Sequence, residues 1–157
     1  MTTSTDGQIC YGILLEEDSE LPWDGEPFNG DIEDWWITAI HGFKHSFEVY
    51  NEDGTYRGGV RPDDQAMHDH WQEKFDFVKA HPIPIELFNV CSGDYPMWII
   101  ATIGKGLVAN RGEPQAFDPD SFAATDQDKK ALLDFCKTHG IEIGESEPKW
   151  YLSSYWR

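Results

Sequence analysis

The spacing of hydrophobic and polar positions along the chain predicts four strands. The stretch GQICYGILLEE is apolar on both alternations from Gln8 to Leu15, which is typical of a strand buried on two faces. IPIELFNV and MWIIATIG predict two more strands, and EPKWYLSSYWR predicts a fourth with alternating aromatic and polar positions. We therefore expect a sheet of about four strands.

Apolar residues spaced by three or four positions predict three helices. DIEDWWITAIHG indicates a short helix that Asp31 caps and Gly42 ends. TDQDKKALLDFCKTHG indicates another, with Thr125 and Asp128 arranged as a capping box. RPDDQAMHDHWQEKFDFVKAHP gives the clearest helix, and its apolar stripe is formed by Met67, Trp71, Phe75 (or Lys74) and Val78.

The connections complete the predicted order of elements. FEVYNEDGTYRGG indicates a small hairpin, and the stretch KGLVANRGEPQAFDPDSFAA after Gly104 indicates a long irregular connection. The order is then strand, helix, optional hairpin, helix, strand, strand, helix, strand. It predicts an α+β fold, with a mixed sheet of about four strands covered by two or three helices. A length of 157 residues suits a single domain over 1–157.

The stretch NVCSGDYPMWIIA has two interpretations. It places the turn-forming residues between two strand-like runs, which predicts a hairpin connection; these residues are Ser92, Gly93, Asp94 and Pro96. The alternative is a cysteine-dependent hydrolase in which Cys91 is the nucleophile and His81 activates it. A carboxylate beside the cysteine disfavours a thiolate, so the turn is the preferred interpretation.

Histidine and cysteine spacing predicts no metal site and no cofactor. His68 and His70 are two apart on a predicted helix, so they diverge by about 160° and cannot share an ion while that helix holds. The chain contains no HExxH, CxxC or calcium-loop pattern, and GKGLVANRG is not a phosphate-binding loop. We expect the histidines to be structural or solvent-facing. The 3 cysteines are scattered and suggest no disulfide framework.

Charge constrains the expected partners of this chain more than any motif does. The chain has 29 Asp and Glu against 12 Lys and Arg, a formal net charge of −17. No lysine or arginine precedes Lys44. Such a field repels nucleic acid and anionic membranes and attracts basic proteins, although acidity also serves solubility alone. The carboxylates expected to attract a basic partner are Glu16, Glu17, Asp18, Glu20, Asp31, Glu33 and Asp34.

The tryptophan pair Trp35–Trp36 suggests an anchor for the same partner. Neighbouring residues on a helix diverge, so we expect one of the two rings to lie at the edge or in a contact. Tryptophan is enriched at interface hot spots, which makes either ring a candidate for buried contact area. Plain packing of the aromatic rings in the core is the preferred alternative.

The compartment expected from the sequence is the cytoplasm. MTTSTDGQ has neither a basic region nor a long apolar segment, and Met97 to Ala101, a typical apolar run, is too short to cross a bilayer. The cysteine usage fits a reducing environment.

The combination of ICYGILLEE, DIEDWW, ELFNVCSGDYPMWIIA and EPKWYLSSYW resembles small, acidic, uncharacterised proteins encoded in bacteriophage and bacterial genomes. The resemblance implies a cytoplasmic accessory protein, such as one that blocks a host defence system, and it transfers no functional residues. With the charge, it predicts an acidic binding protein that docks on the basic surface of a nucleic-acid-handling complex, as a DNA mimic does. The alternatives are an immunity protein against a basic toxin, the hydrolase above, and an acidic structural subunit. The oligomeric state stays open.

Overall fold

The chain divides into two compact units. The computed structural model describes residues 5–16, 19–45, 63–92 and 96–156. The first unit consists of Met1–Pro22 and Pro84–Arg157, and the second of Trp23–Ile83. The expectation of a single domain over 1–157 stays a prediction.

The elements follow the predicted alternation closely. Along the chain they are β1 (Thr5–Leu14), α1 (Ile32–Trp35), α2 (Asp64–Ala80), β2 (Ile85–Ser92), β3 (Pro96–Ala109), α3 (Asp126–Thr138) and β4 (Lys149–Trp156). A π-helical turn, Trp36–Ile40, continues α1, and a 3₁₀ turn, Pro119–Phe122, precedes α3. The predicted α+β class is confirmed.

The sheet of the first unit closes on itself. Its strand order is β1-β3-β2-β4, and β4 returns to pair with β1. Three of these pairs are antiparallel, whereas β2 and β4 run parallel over Cys91↔Tyr155 and Ser92↔Trp156. The sheet is therefore mixed, as expected from the sequence. The predicted hairpin between β2 and β3 is also present, and its turn, residues 93–95, lies outside the described residues.

A break in register allows β3 to continue after Gly104. β3 pairs with β1 on both sides of this point, and the register shifts between Cys10 and Gly12. Gly104 has φ 69°, a left-handed conformation that glycine adopts without steric penalty. The expectation that the chain becomes irregular after Gly104 is therefore wrong for residues 105–109, because the strand bends there and resumes beside β1.

An apolar core fills the inside of the closed sheet. Cys10, Val90, Ile99 and Ala101 form its buried centre. On the outer face α3 contacts β1 and β3, burying Leu132, Phe135 and Cys136. The helix begins with the predicted capping box, in which both reciprocal hydrogen bonds between Thr125 and Asp128 are present.

The second unit is built around α1 and its π-helical continuation. Asp31 caps α1 as predicted, its carboxylate accepting a hydrogen bond from the Asp34 backbone N–H at 2.9 Å. Trp35 and Trp36 are both buried, at 5% and 9% exposed, which agrees with core packing, and their role as an anchor for a partner stays a prediction. Both find partners inside this unit, because the Trp35 ring packs on Trp23 at 5.1 Å and Trp36 Nε1 donates to the His81 carbonyl at 3.0 Å.

The buried side of α2 differs from the predicted stripe. Trp71 and Phe75 are 54% and 62% exposed, whereas His70 is buried and the Lys74 side chain is only 13% exposed. The predicted stripe is wrong at Trp71, and of the two alternatives Phe75 and Lys74 the second is the more buried one. Lys74 is paired with the Asp34 carboxylate, and the Phe43 and His45 rings pack near His70. The hairpin predicted in FEVYNEDGTYRGG lies outside the described residues. Among the described helices, none combines the length and apolar character needed to cross a bilayer.

Candidate functional site

A cavity of about 660 Å³ opens in the first unit, and we call it the carboxylate pocket. The segment that follows β1 forms one side of it, and the segment that follows α3 forms the other. Its lining consists of Glu16, Ser19, Glu20, Leu21, Pro22, His139, Gly140, Glu142 and Gly144. Two of the carboxylates predicted to bind a partner, Glu16 and Glu20, therefore share one concave site.

The carboxylate pocket carries uncompensated negative charge. Its lining includes three glutamates and neither lysine nor arginine. Within the described part of the chain, Glu16, Glu20 and Glu142 take part in none of the ion pairs. A concave site lined by one sign of charge concentrates the field and attracts the opposite charge. The chemistry that fits is an ammonium or guanidinium group beside the apolar surface of Leu21 and Pro22.

His139 contributes an uncharged ring to this pocket. The residue ends α3, and its ring packs on Phe135 at a centroid distance of 4.6 Å. Burial lowers the pKa of His139 below its ordinary value because the charged form loses solvation. At neutral pH the imidazole therefore adds no positive charge to the pocket.

A second group of polar side chains, the histidine cluster, lies in the second unit and consists of Asp34, His45, His70 and Lys74. His45 Nδ1 is 3.5 Å from His70 Nε2. On its other side, His45 Nε2 is 2.9 Å from Asp34 Oδ1, and Lys74 Nζ bonds the same oxygen at 3.0 Å. The helix α2 supplies His70 and Lys74, while Asp34 belongs to α1 and His45 to the extended segment after the π-helical turn.

Burial sets the protonation state of His70. The residue is 4% exposed, and the Phe43 ring is 6.2 Å from its own ring. The pKa of His70 is lowered, chiefly by burial and further by the nearby His45 and Lys74, while Glu73 acts in the opposite direction. His70 is therefore a neutral imidazole at pH 7.

The spacing of histidines along the chain could not reveal this cluster. His45 and His70 are 25 residues apart on different elements, whereas spacing rules test only neighbours on one element. The available signal was the position of His70 one turn before Lys74 and two turns before Phe77 on α2. That set shares the buried face of the helix.

The predicted acidic residues are divided between the two units. Glu16 and Glu20 line the carboxylate pocket, whereas Asp31, Glu33 and Asp34 belong to the second unit. Asp31 caps a helix and Asp34 is paired with Lys74, so both have structural partners. Glu33 is exposed. Residues Glu17 and Asp18 lie outside the described residues.

The proposed nucleophile and base belong to different units. The Cys91 backbone lies in β2 opposite Pro96 and Tyr155. His81 follows α2 in the second unit, and its Nδ1 donates to the Phe77 carbonyl at 3.0 Å. The pairing of Cys91 with His81 stays a prediction.

The buried cysteines of the first unit are unsuited to nucleophilic chemistry. Burial raises the pKa of Cys10 and of Cys136 to about 11, so both thiols stay protonated at neutral pH. For the described residues, no group of three or more His, Cys, Asp or Glu side chains is placed to hold a metal ion.

No protein-family model, curated protein or solved structure matches this chain. The fold therefore defines the class as an α+β protein with a closed four-stranded sheet, and functional inference has to start from the carboxylate pocket and the histidine cluster.

Proposed function

We propose that this chain is an acidic cytoplasmic binding protein that docks on the basic surface of another protein. The observation that carries the proposal is the carboxylate pocket, which combines Glu16, Glu20 and Glu142 without a cation among its lining residues. A lysine or arginine side chain of the partner enters this pocket. Its charge meets the glutamates, and its aliphatic stem packs against Leu21 and Pro22.

The net charge of −17 supports the same function at longer range. Basic surfaces are typical of proteins that bind nucleic acid, and a strongly acidic protein competes for such surfaces through electrostatic steering. We propose a partner of this kind, and an inhibitory role in which the acidic chain occupies a surface that otherwise binds phosphates. A bacteriophage inhibitor of a host defence complex acts in this way.

Salt dependence and matched variants test the proposal. Partners are captured from host lysate on the immobilised full chain, and the affinity of one purified partner is then measured at low and high salt. Affinity should fall steeply with salt because the attraction is between exposed charges. The triple variant Glu16→Gln, Glu20→Gln, Glu142→Gln should weaken binding by at least about tenfold, equivalent to about 1.4 kcal/mol.

A second triple variant provides the control, because it removes the same charge elsewhere in the first unit. It combines Glu113→Gln, Asp134→Asn and Glu145→Gln, all at exposed positions. This variant should bind almost as well as the parent chain. If both variants lose the same affinity, net charge alone drives association and the pocket is not the site. A complex insensitive to salt contradicts the function itself.

A further inference from the structure

The paired histidines of the second unit have a geometry that suits metal coordination. We propose that His45 and His70 bind one divalent transition-metal ion of the zinc and copper class, through His45 Nδ1 and His70 Nε2. Imidazole nitrogen is a preferred ligand of these ions. The site lies in the second unit and does not depend on the carboxylate pocket.

The distance between the two ring nitrogens is the first argument. His45 Nδ1 and His70 Nε2 are 3.5 Å apart, which is long for a protein hydrogen bond, normally about 2.7–3.2 Å. Two nitrogens that each lie about 2.0–2.1 Å from a tetrahedral zinc ion are about 3.4 Å apart. The pair therefore already has the spacing of two ligands on one ion.

The position of Asp34 is the second argument. Histidine ligands usually present their other ring N–H to a carboxylate, which fixes the ring and its tautomer. Asp34 Oδ1 lies 2.9 Å from His45 Nε2, the nitrogen on the far side from His70. The approach is not aligned with the N–H direction, and Nε2 is buried without an aligned partner in the described ranges. Lys74 Nζ lies 3.0 Å from the same carboxylate oxygen and holds it beside His45.

The surroundings of His70 are the third argument. His70 is 4% exposed, so the packing around it holds the ring in place for an ion. Phe43 packs its ring against His45 at 5.2 Å and shields one side. Since the described residues offer two ligands and no group of three, water completes the coordination. Affinity is therefore lower than in four-ligand structural zinc sites.

Calorimetric titration of the full chain tests the site directly. Zn²⁺ and, separately, Cu²⁺ are titrated at neutral pH, with Mg²⁺ as a hard cation that prefers oxygen ligands. We expect one Zn²⁺ per chain, tighter binding of Cu²⁺, and no comparable heat with Mg²⁺. His45→Ala and His70→Ala should each weaken binding by at least about tenfold. His68→Ala, at an exposed position of the same helix, is the matched control and should bind as the parent chain does.

Spectroscopy separates coordination from folding. The electron paramagnetic resonance spectrum of the Cu²⁺-loaded chain should show coupling to two histidine nitrogens, and each alanine variant should lose one. Asp34→Asn should keep both couplings but change their size, because Asp34 is a positioning residue. If His70→Ala does not fold by circular dichroism, His45→Ala, at a position with 26% side-chain exposure, decides the test. Parent-like binding by folded His45→Ala, or absence of binding by the parent chain, overturns the proposal.

Discussion

The two units of this chain bury different kinds of side chains. In the first, a closed sheet surrounds Cys10, Val90, Ile99 and Ala101, and the interior is mainly aliphatic. In the second, the tryptophan rings of Trp23 and Trp35 pack together and His70 is also buried, while Trp71 and Phe75 of α2 remain exposed. The difference teaches that hydrophobic periodicity finds the buried face of an element when that face is apolar. It does not find a buried face that contains polar side chains. Four variants test this comparison, from the largest expected effect to the smallest.

Removing a ring from the second unit should have the largest effect. Trp35→Ala deletes a side chain that is 5% exposed and packs on Trp23, so we expect a loss of about 3–5 kcal/mol in the free energy of unfolding. Trp71→Ala is the control, and it should cost at most about 1 kcal/mol because its ring is 54% exposed. Urea denaturation followed by circular dichroism measures both. Equal losses would contradict the assignment of Trp35 to the core.

Gly12→Ala should destabilise the first unit by about 1–3 kcal/mol, because an added methyl group overlaps the Ile100 carbonyl oxygen and lies 2.7 Å from Ile99 Cγ2. Gly7→Ala in the same strand has nothing within 4 Å of the new methyl group and should be nearly neutral. The same denaturation experiment compares them. A neutral Gly12→Ala would mean that β1 and β3 approach less closely than the register implies.

The ion pairs of the two units allow a direct comparison of charge burial. Lys74→Met removes the partner of Asp34 in the second unit, where the two side chains are 13% and 24% exposed. We expect the free energy of unfolding to fall by an amount between those for an exposed and a buried ion pair, which are about 1 and about 3 kcal/mol. Lys130→Met removes the exposed pair with Asp134 in α3 and should cost about 0.5 kcal/mol or less. If Lys130→Met cost more stability than Lys74→Met, the ion pair of the histidine cluster would add no stability.

The smallest expected effect concerns pH. Burial lowers the pKa of His139 in the folded chain, so the neutral ring contributes stability that is present above the unfolded pKa of about 6.5. This contribution is lost progressively as the pH falls below that value. Unfolding free energies measured between neutral and mildly acidic pH should therefore decline less in His139→Asn than in the parent chain. An unchanged slope would contradict the effect of burial on this residue.

The sequence predicted most of the first unit because its signals are local. A run that is apolar on both alternations marked β1, period-two patterns marked β2 and β4, and the capping box at Thr125 and Asp128 marked the start of α3. The second half of β3 was missed because Gly104, which usually interrupts a strand, here makes a bend from which pairing resumes. Closure of the sheet likewise depends on pairing between strands that are far apart in the sequence, and local patterns carry no information about it.

The candidate sites were predicted only in part. Glu16 and Glu20 were identified from charge alone, but Glu142 joins them from a distant part of the chain. The stripe was wrong at Trp71, and of the alternatives Phe75 and Lys74 only the second is largely buried. Apolar character outweighed His70 in the periodicity argument, whereas specific partners bury both polar residues. Trp35 and Trp36 are both buried, because the Trp23 ring packs on Trp35 and the His81 carbonyl accepts a hydrogen bond from Trp36.

The pairing of β1 with β4 has a consequence for synthesis on the ribosome. Gln8 lies opposite Ser153, so β1 is synthesised long before the strand that pairs with it. Contacts between residues so far apart in the sequence are slow to form. Closing the long loop between them costs entropy before the stabilising contacts of the pair are made. The nascent chain therefore emerges with β1 lacking one neighbour, and a chaperone that shields this strand during translation should raise the yield of native protein.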